Sequence, residues 1–230
     1  MDRLALLRTG EITIEGRMPW SSNATFLVDV VGEEGEGKAI YKPLRGERPL
    51  WDFEPGLHRR EVAAYHLSEA MGIDLVPPTV VRDGPLGEGS LQWYVDADHQ
   101  QHYFTLHEAR DDLHEVFRTV AVFDIIANNT DRKSGHVLID TEGHVWGIDH
   151  GLCFAADFKL RTVVWEFGGE PITEALVAAA ARIAQSPPVA VTSLLSADES
   201  LAMRERAQWV VDHPVLPVDQ SGRRYPWPMV

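Results

Sequence analysis

Up to about residue 96, apolar and polar positions alternate with the two-residue period of half-buried strands. Glu11 to Glu15 (EITIE) has that alternation, and Ala24 to Val31 (ATFLVDVV) is rich in β-branched and aromatic side chains. Lys38 to Pro43 (KAIYKP), Thr79 to Val81 and Ser90 to Val95 (SLQWYV) complete a predicted five-stranded sheet. Between the third and fourth strands, Leu57 to Met71 carries a broad apolar face at helical spacing. Gly72 stands where helices commonly end in a left-handed residue. Leu4 to Arg8 fits a short helix or a strand, Gly32 to Gly37 is an acidic turn, and Arg45 to Pro55 is a loop holding Trp51 and Phe53.

After residue 96 the period changes. Ala97 to Leu106 is polar and reads as a loop or insertion. Glu108 to Asn128 is the longest predicted helix, with Leu113, Val116, Phe117, Val120, Phe123, Asp124 and Ala127 on one face. Asp124 lies in its apolar half, and a buried carboxylate needs partners. The expectation is a bond to the following loop, with an outward-facing position as the alternative. Two short apolar strands follow, Val137 to Asp140 and residues 144–149, joined by Thr141-Glu142-Gly143, in which an acidic residue before Gly is turn chemistry. Pro171 to Gln185 is a helix stopped by Pro187-Pro188, and Val189 to Leu195 is a short helix or strand. Ala197 to Ser200 caps a last helix reaching about Val211, and a proline-rich tail follows that either packs through Tyr225 and Trp227 or is loose. The fold class expected is α+β and two-lobed, with a β-rich lobe of five strands and one helix at residues 1–96 and a helical lobe at 97–230.

Composition narrows the function classes. Apolar residues are 44% of 230, enough for a sizeable core, and no apolar run is long enough to cross a membrane. The charged N-terminus does not read as a signal peptide, and Cys153 is the single cysteine, so a reducing, cytoplasmic setting is expected. The formal charge of −14 opposes nucleic-acid partners and strong attraction to an anionic bilayer. The 10 histidines include no H-E-x-x-H and have no C-x-x-C company, which argues against zinc.

The candidate chemistry lies between Val120 and Phe154. Asp131 precedes the two short strands and Asp149 follows them. Phosphoryl transfer uses such a pair, one carboxylate to orient the acceptor hydroxyl and take its proton, a second to hold a magnesium ion bridging the nucleotide phosphates. The run DIIANNTDR…HVLID…GIDHG resembles the atypical kinases related to phosphatidylinositol 3- and 4-kinases. It is most similar to type II phosphatidylinositol 4-kinases and small bacterial relatives, more distantly to HipA-type and Fam20 kinases. The resemblance covers about residues 10–165. It implies a kinase-like fold with ATP in the cleft, Asp131 as the catalytic carboxylate and Asp149 as a metal ligand. It places the nucleotide-binding lysine at Lys42, with Glu61 pairing to it. The loop Ser21, Ser22 and Asn23 would cover the phosphates, and Trp93, Tyr94 and Val95 would lead into the hinge beside adenine.

In one place the sequence departs from that family. Five residues after Asp131, where such kinases place an Asn for a second magnesium, stands His136. Imidazole suits manganese better than magnesium. His136 therefore ligates a metal, bonds phosphate without metal, or belongs to a one-metal site. Arg132 and Lys133 either steady transferring phosphate or form a solvated pair. Ala156 to Glu166 is too short for the regulated activation segment of protein kinases. The function expected is ATP-dependent transfer of the γ-phosphate, with Mg²⁺ or Mn²⁺, to a hydroxyl of an inositol- or lipid-type small molecule or of protein Ser/Thr. The alternatives are a nucleotide-binding pseudokinase scaffold and an AMP-transferring enzyme.

Overall fold

The structure is a computed structural model that describes residues 1–19, 21 and 23–230. The chain opens with α1 (Arg3–Thr9), whose N-terminus is capped by the Asp2 carboxylate on the Ala5 N–H. Five strands follow the predicted order: β1 (Glu11–Arg17), β2 (Phe26–Gly32) and β3 (Gly35–Pro43), then α2 (Leu57–Met71), then β4 (Thr79–Gly84) and β5 (Gly87–Trp93). They pair antiparallel in the order β1-β2-β3-β5-β4. The third strand starts before Lys38, because Gly35 adopts a positive φ of 125° and turns the hairpin at residues 33–34. The expected acidic turn is thus mostly strand.

Alternation gives the sheet two different faces. Val28, Val30, Ala39, Tyr41 and Leu91 are buried on one of them against Leu6 and Leu7 of α1. Each of those two leucines, fully buried, contributes about 1.5–3 kcal/mol. The residues between them, including Lys42, face the other way. There α2 lies against β4 and β5, and its Ala63, Leu67 and Met71 join the large core of the helical half. This helix therefore couples the two halves of the molecule.

The helical half differs from the expected pattern at its start. A helix, α3 (Tyr103–Ala109), occupies part of the predicted loop, because Tyr103 and Leu106 bury themselves in the core. The long predicted helix is broken at Arg110, where Asp111 and Asp112 favour a turn. It resumes as α4 (His114–Ala127). The two short strands are β6 (Val137–Ile139) and β7 (Val145–Gly147). Asp140 ties their turn by accepting from the Glu142 and His144 N–H groups and from Trp146 Nε1. The second strand stops two residues short of Asp149. Helices α5 (Glu174–Gln185), α6 (Val189–Thr192) and α7 (Ala197–Asp212) complete the fold. The cap of α7 is Ser196, in a reciprocal capping box with Glu199, one residue before the expected cap.

The tail packs on the body, but through Leu216 and Pro226, while Trp227 stays 87% exposed. The Met229 carbonyl accepts from the Ser134 N–H at 2.8 Å, so the tail reaches the loop after Asp131. No helix among the described residues is long and apolar enough to cross a membrane.

Candidate active site

The geometry begins with how α4 ends. Asn128 takes a left-handed conformation, φ 51°, which Asn tolerates better than most residues. Its side chain donates to the Ala155 and Asp157 carbonyls and accepts from the Lys159 N–H. One residue thus stops the helix and holds the segment that follows Asp149.

Behind the loop lies a closed polar hub. Asp124 and Arg132 are fully buried and form an ion pair at 3.0 Å. Asn129 Nδ2 and Thr162 Oγ1 also donate to Asp124. The Arg132 guanidinium donates onward to the His136 and Ile148 carbonyls and to His150 Nε2. A buried pair supplied with this many additional bonds meets the condition under which such pairs are tolerated. Burial, with the Arg132 charge beside it, holds His150 well below its usual pKa, so it is a neutral acceptor. Asp124 therefore bonds the loop as expected. Arg132 corrects both sequence readings: it neither reaches the cleft nor meets solvent.

In front of the loop is an open cleft of about 390 Å³, lined by Lys42, Glu61, Asp131, Lys133, His136 and Asp149 among others. Lys42, one residue before the end of β3, bonds Glu61 on α2 and reaches Asp149 Oδ1 at 2.8 Å. Glu61 also accepts from the His150 N–H at 2.9 Å. The Gly151 position helps, because a Cβ there would stand 3.3 Å from Glu61 Oε1. The Lys42 ammonium, against the opposing effect of burial, holds the Asp149 carboxyl well below its usual range. Burial alone would lower Lys42, but the Asp149 and Glu61 carboxylates overcome it and raise it. Asp149 itself sits at a positive φ of 60°, which turns its carboxylate back into the cleft just past β7.

Asp131 is fixed through its N–H on Asn129 Oδ1, and its carboxylate meets Lys133 Nζ at 3.3 Å. Burial pushes its pKa up to about 6, with Asp149 adding to the rise and Lys133 opposing it. Burial also lowers His136, to about 4, helped by the nearby cations and opposed by Asp149. The His136 Nδ1 lies 3.0 Å from the Asp131 carbonyl oxygen and 3.4 Å from the Lys133 backbone N, two contacts that call for opposite tautomers, and the shorter one favours the proton on Nδ1. Its bare Nε2 then faces Asp149 Oδ2 at 3.3 Å. Two acceptors so placed fit a cation held between them. Among the described residues no group of three or more His, Cys, Asp or Glu side chains forms a cage.

The other predicted residues divide. Ser21 and Asn23 line the cleft, and Asn23 also accepts from the Arg48 N–H. Ser22 lies outside the described residues. Val95 packs with Leu138 and Trp146, beside Ile148 and hence next to Asp149. The Tyr94 N–H donates to the Lys38 carbonyl and keeps the connecting segment against β3. Trp93 is a correction. It pairs with Ala39, so its side chain shares the α1 face, under Arg3, opposite to Lys42. Sequence reasoning also passed over Glu47. It lines the cleft, accepts from the Gly56 and His58 N–H groups, and is held down to about 2 by those bonds and the His58 ring, against the effect of burial. No periodicity marks a loop residue of this kind.

A sheet half and a helical half with these groups between them define a kinase-like fold. Two solved structures agree: the Helicobacter pylori proinflammatory kinase CtkA, at TM-score 0.55 and 12% identity over 91% of this chain and 94% of that one, and hydra Fam20, at TM-score 0.58 and 15% identity over 91% and 86%. The model of the phosphatidylinositol 3- and 4-kinase family matches residues 60–173. Protein Rv2133c of Mycobacterium tuberculosis is 39% identical over 99% of this chain and 95% of its own length. Phosphatidylinositol 4-kinase gamma 4 of rice is 30% identical over 63% of this chain, which spans 31% of that protein. The chain is thus a relative of Protein Rv2133c along nearly its whole length, and its middle, residues 60–173, is similar to the phosphatidylinositol 3- and 4-kinase family.

Proposed function

We propose that the chain is an ATP-dependent phosphotransferase that moves the γ-phosphate to a hydroxyl acceptor. The cleft lies between residues 1–96 and 97–230. The observation that carries this reading is the contact of Lys42 with both Glu61 and Asp149. In phosphoryl transfer a strand lysine holds the α- and β-phosphates, a helix glutamate positions the lysine, and a carboxylate carries the metal. Here those parts are Lys42, Glu61 and Asp149, with His136 completing the metal side. The bound cation, Mg²⁺ or Mn²⁺, would neutralise charge on the transferring phosphate, and the imidazole favours Mn²⁺.

Asp131 is the base. It accepts the proton of the acceptor hydroxyl as the oxygen bonds to the γ-phosphorus, the bond to the β–γ bridging oxygen breaks, and ADP leaves. A carboxyl pushed to about 6 is ionised at neutral pH and still basic enough to help. Lys133 beside it offsets charge on the transferred group. Ser21 and Asn23 border the phosphate side. The acceptor is an inositol- or lipid-type small molecule or a protein Ser/Thr. The buried free thiol of Cys153 accords with a reducing, cytoplasmic setting.

ATP labelled at the γ- or the α-phosphate tests the reading. Transfer of γ-label that vanishes in Asp131→Asn supports a kinase. Transfer of α-label means AMP transfer instead. ATP binding with neither transfer, across a panel of hydroxyl acceptors, points to a pseudokinase scaffold. A thermal-shift titration with ATP and metal, lost in Asp149→Ala, reports binding by mass action. No shift with either metal would sink the nucleotide assignment.

A further inference from the structure

Outside the cleft, positive charge in this acidic chain collects at one place. Two adjoining cavities of about 240 and 410 Å³ share Phe158 and Arg224 as a common wall. The smaller is lined by Phe158, Leu160, Lys159, Arg161, Arg223 and Arg224, with no carboxylate among them. Lys159 is already engaged, its ammonium on Asp52 at 3.4 Å and above Trp51 and Phe53. The other three guanidinium groups have no hydrogen-bond or ion-pair partner among the described residues. Arg224 only stacks over Phe158 at 5.2 Å. In a chain with 35 acidic and 21 basic residues, three arginines without a side-chain partner gather around one small cavity, and the nearby Asp219 carboxylate is engaged by the Ser221 and Arg224 N–H groups.

A second observation comes from the neighbouring wall. Arg206 lines the larger cavity, is 8% exposed, and donates through Nε and Nη1 to the Ile126 and Ala155 carbonyls. Its Nη2 is buried and has no partner among the described residues. Burial lowers this guanidinium to about 10, with Glu205 and Glu199 opposing.

The cavity is rigidly tied to the catalytic loop. The Arg161 N–H donates to the Asn129 carbonyl at 2.9 Å, and the Arg161 carbonyl accepts from the Arg132 N–H at 3.0 Å. The Arg224 carbonyl accepts from the Thr162 N–H and from Trp165 Nε1. A ligand on these arginines therefore sits beside the loop that carries Asp131.

We propose that Arg161, Arg223 and Arg224 form a subsite for a phosphomonoester group carried by the acceptor, which is then a small phosphorylated hydroxy compound. This rests on the phosphotransferase reading above. Arginine suits the task, because its planar fork binds phosphate through paired, charge-assisted hydrogen bonds. A cavity of about 240 Å³ fits a small molecule, and the net charge of −14 opposes docking on an anionic bilayer. The soluble source is thus favoured over a lipid headgroup. Two of the three arginines come from the tail, outside residues 60–173, where the family model matches.

The test is calorimetric titration of the full chain with glycerol 3-phosphate at fixed ionic strength. Wild type, the double variant Arg161→Gln/Arg223→Gln, and Arg17→Gln as a charge control would be compared, with ATP titrated separately. Saturable binding that weakens at least tenfold in the double variant, with Arg17→Gln and the ATP affinity unchanged, is the expected result. Equal affinity in wild type and double variant overturns the subsite, as does an equal loss in Arg17→Gln. Binding to vesicles of phosphatidylcholine with phosphatidic acid, but not to the soluble phosphate, overturns the soluble acceptor. If the phosphate effect appears as expected and wild type binds no ATP, the anion subsite stands and the phosphotransferase reading alone falls.

Discussion

The two faces of the loop that carries Asp131 are built on opposite principles. Behind it, Asp124 and Arg132 are fully buried, and their bonds run to Asn129, Thr162, His136, Ile148 and His150. In front, Asp131, His136 and Asp149 meet fewer protein partners: Lys133 faces Asp131 at 3.3 Å, and Asp149 meets Lys42 at 2.8 Å and His136 at 3.3 Å. Asp149 is half-exposed. Both faces are rich in charge, yet only at the rear does an ion pair, Asp124 with Arg132, find all its partners inside the protein. The lesson is that a satisfied ion pair fixes position, and an unsatisfied one leaves room for a ligand. Burial fraction, not charge count, separates scaffold from site here.

The largest effect expected is on the front. Asp149→Asn keeps the shape but removes the anionic ligand, and γ-label transfer should fall by at least ~10³-fold while the unfolding midpoint in urea holds. If urea unfolding moves as much as turnover, the front is structural too and the contrast collapses. On the rear, Arg132→Met leaves Asp124 buried without its cation and should cost about 3–5 kcal/mol in urea unfolding. Adding Asp124→Leu to that variant should restore much of the loss, since replacing both partners by apolar groups is far less costly. A double variant no more stable than the single would mean the hub's worth lies in its individual bonds.

A smaller effect concerns pH. As the proposed base, Asp131 would act only when ionised, and burial raises it to about 6, so turnover should fall as pH drops through that value. Lys133 opposes the rise, so Lys133→Ala should move the acidic limb of kcat/KM to higher pH. A limb that stays in place would remove Lys133 from the electrostatics of Asp131. The smallest effect belongs to His136→Asn, which replaces the imidazole by a hard amide oxygen and should keep or improve turnover with magnesium relative to manganese. A complete loss of nucleotide binding in that variant would show that the ring is needed for the cleft itself.

Much of this was legible because local chemistry agreed with the global fold. The antiparallel sheet, α2 with Gly72, and the β6–β7 pair follow from period and turn residues. Lys42, Asp131 and Asp149 were found through a run that resembles a known family, and the structure brings Lys42 and Asp149 into contact while Asp131 lines the same cleft. Trp93 was misplaced because adjacent strand residues face opposite ways, and its position next to a hinge said nothing about parity. Arg132 was misread because a basic residue next to a catalytic-type Asp looks solvated until a distant carboxylate is folded over it. Glu47 and the tail arginines carried no signal, since loops have neither period nor cap.

The sequence by itself determined the order of the five strands, α2 and the β6–β7 pair, since these depend on neighbours a few residues away, and it marked Lys42, Asp131 and Asp149 as candidates. Only the tertiary structure decided which charge would be buried and which left open. That choice depends on desolvation, and desolvation is set by what packs from elsewhere in the chain. Asp124 and Asp149 are the same side chain in one acidic sequence; Asn129, Arg132 and Thr162 close over the first, while the second meets Lys42 and His136 and stays half-exposed.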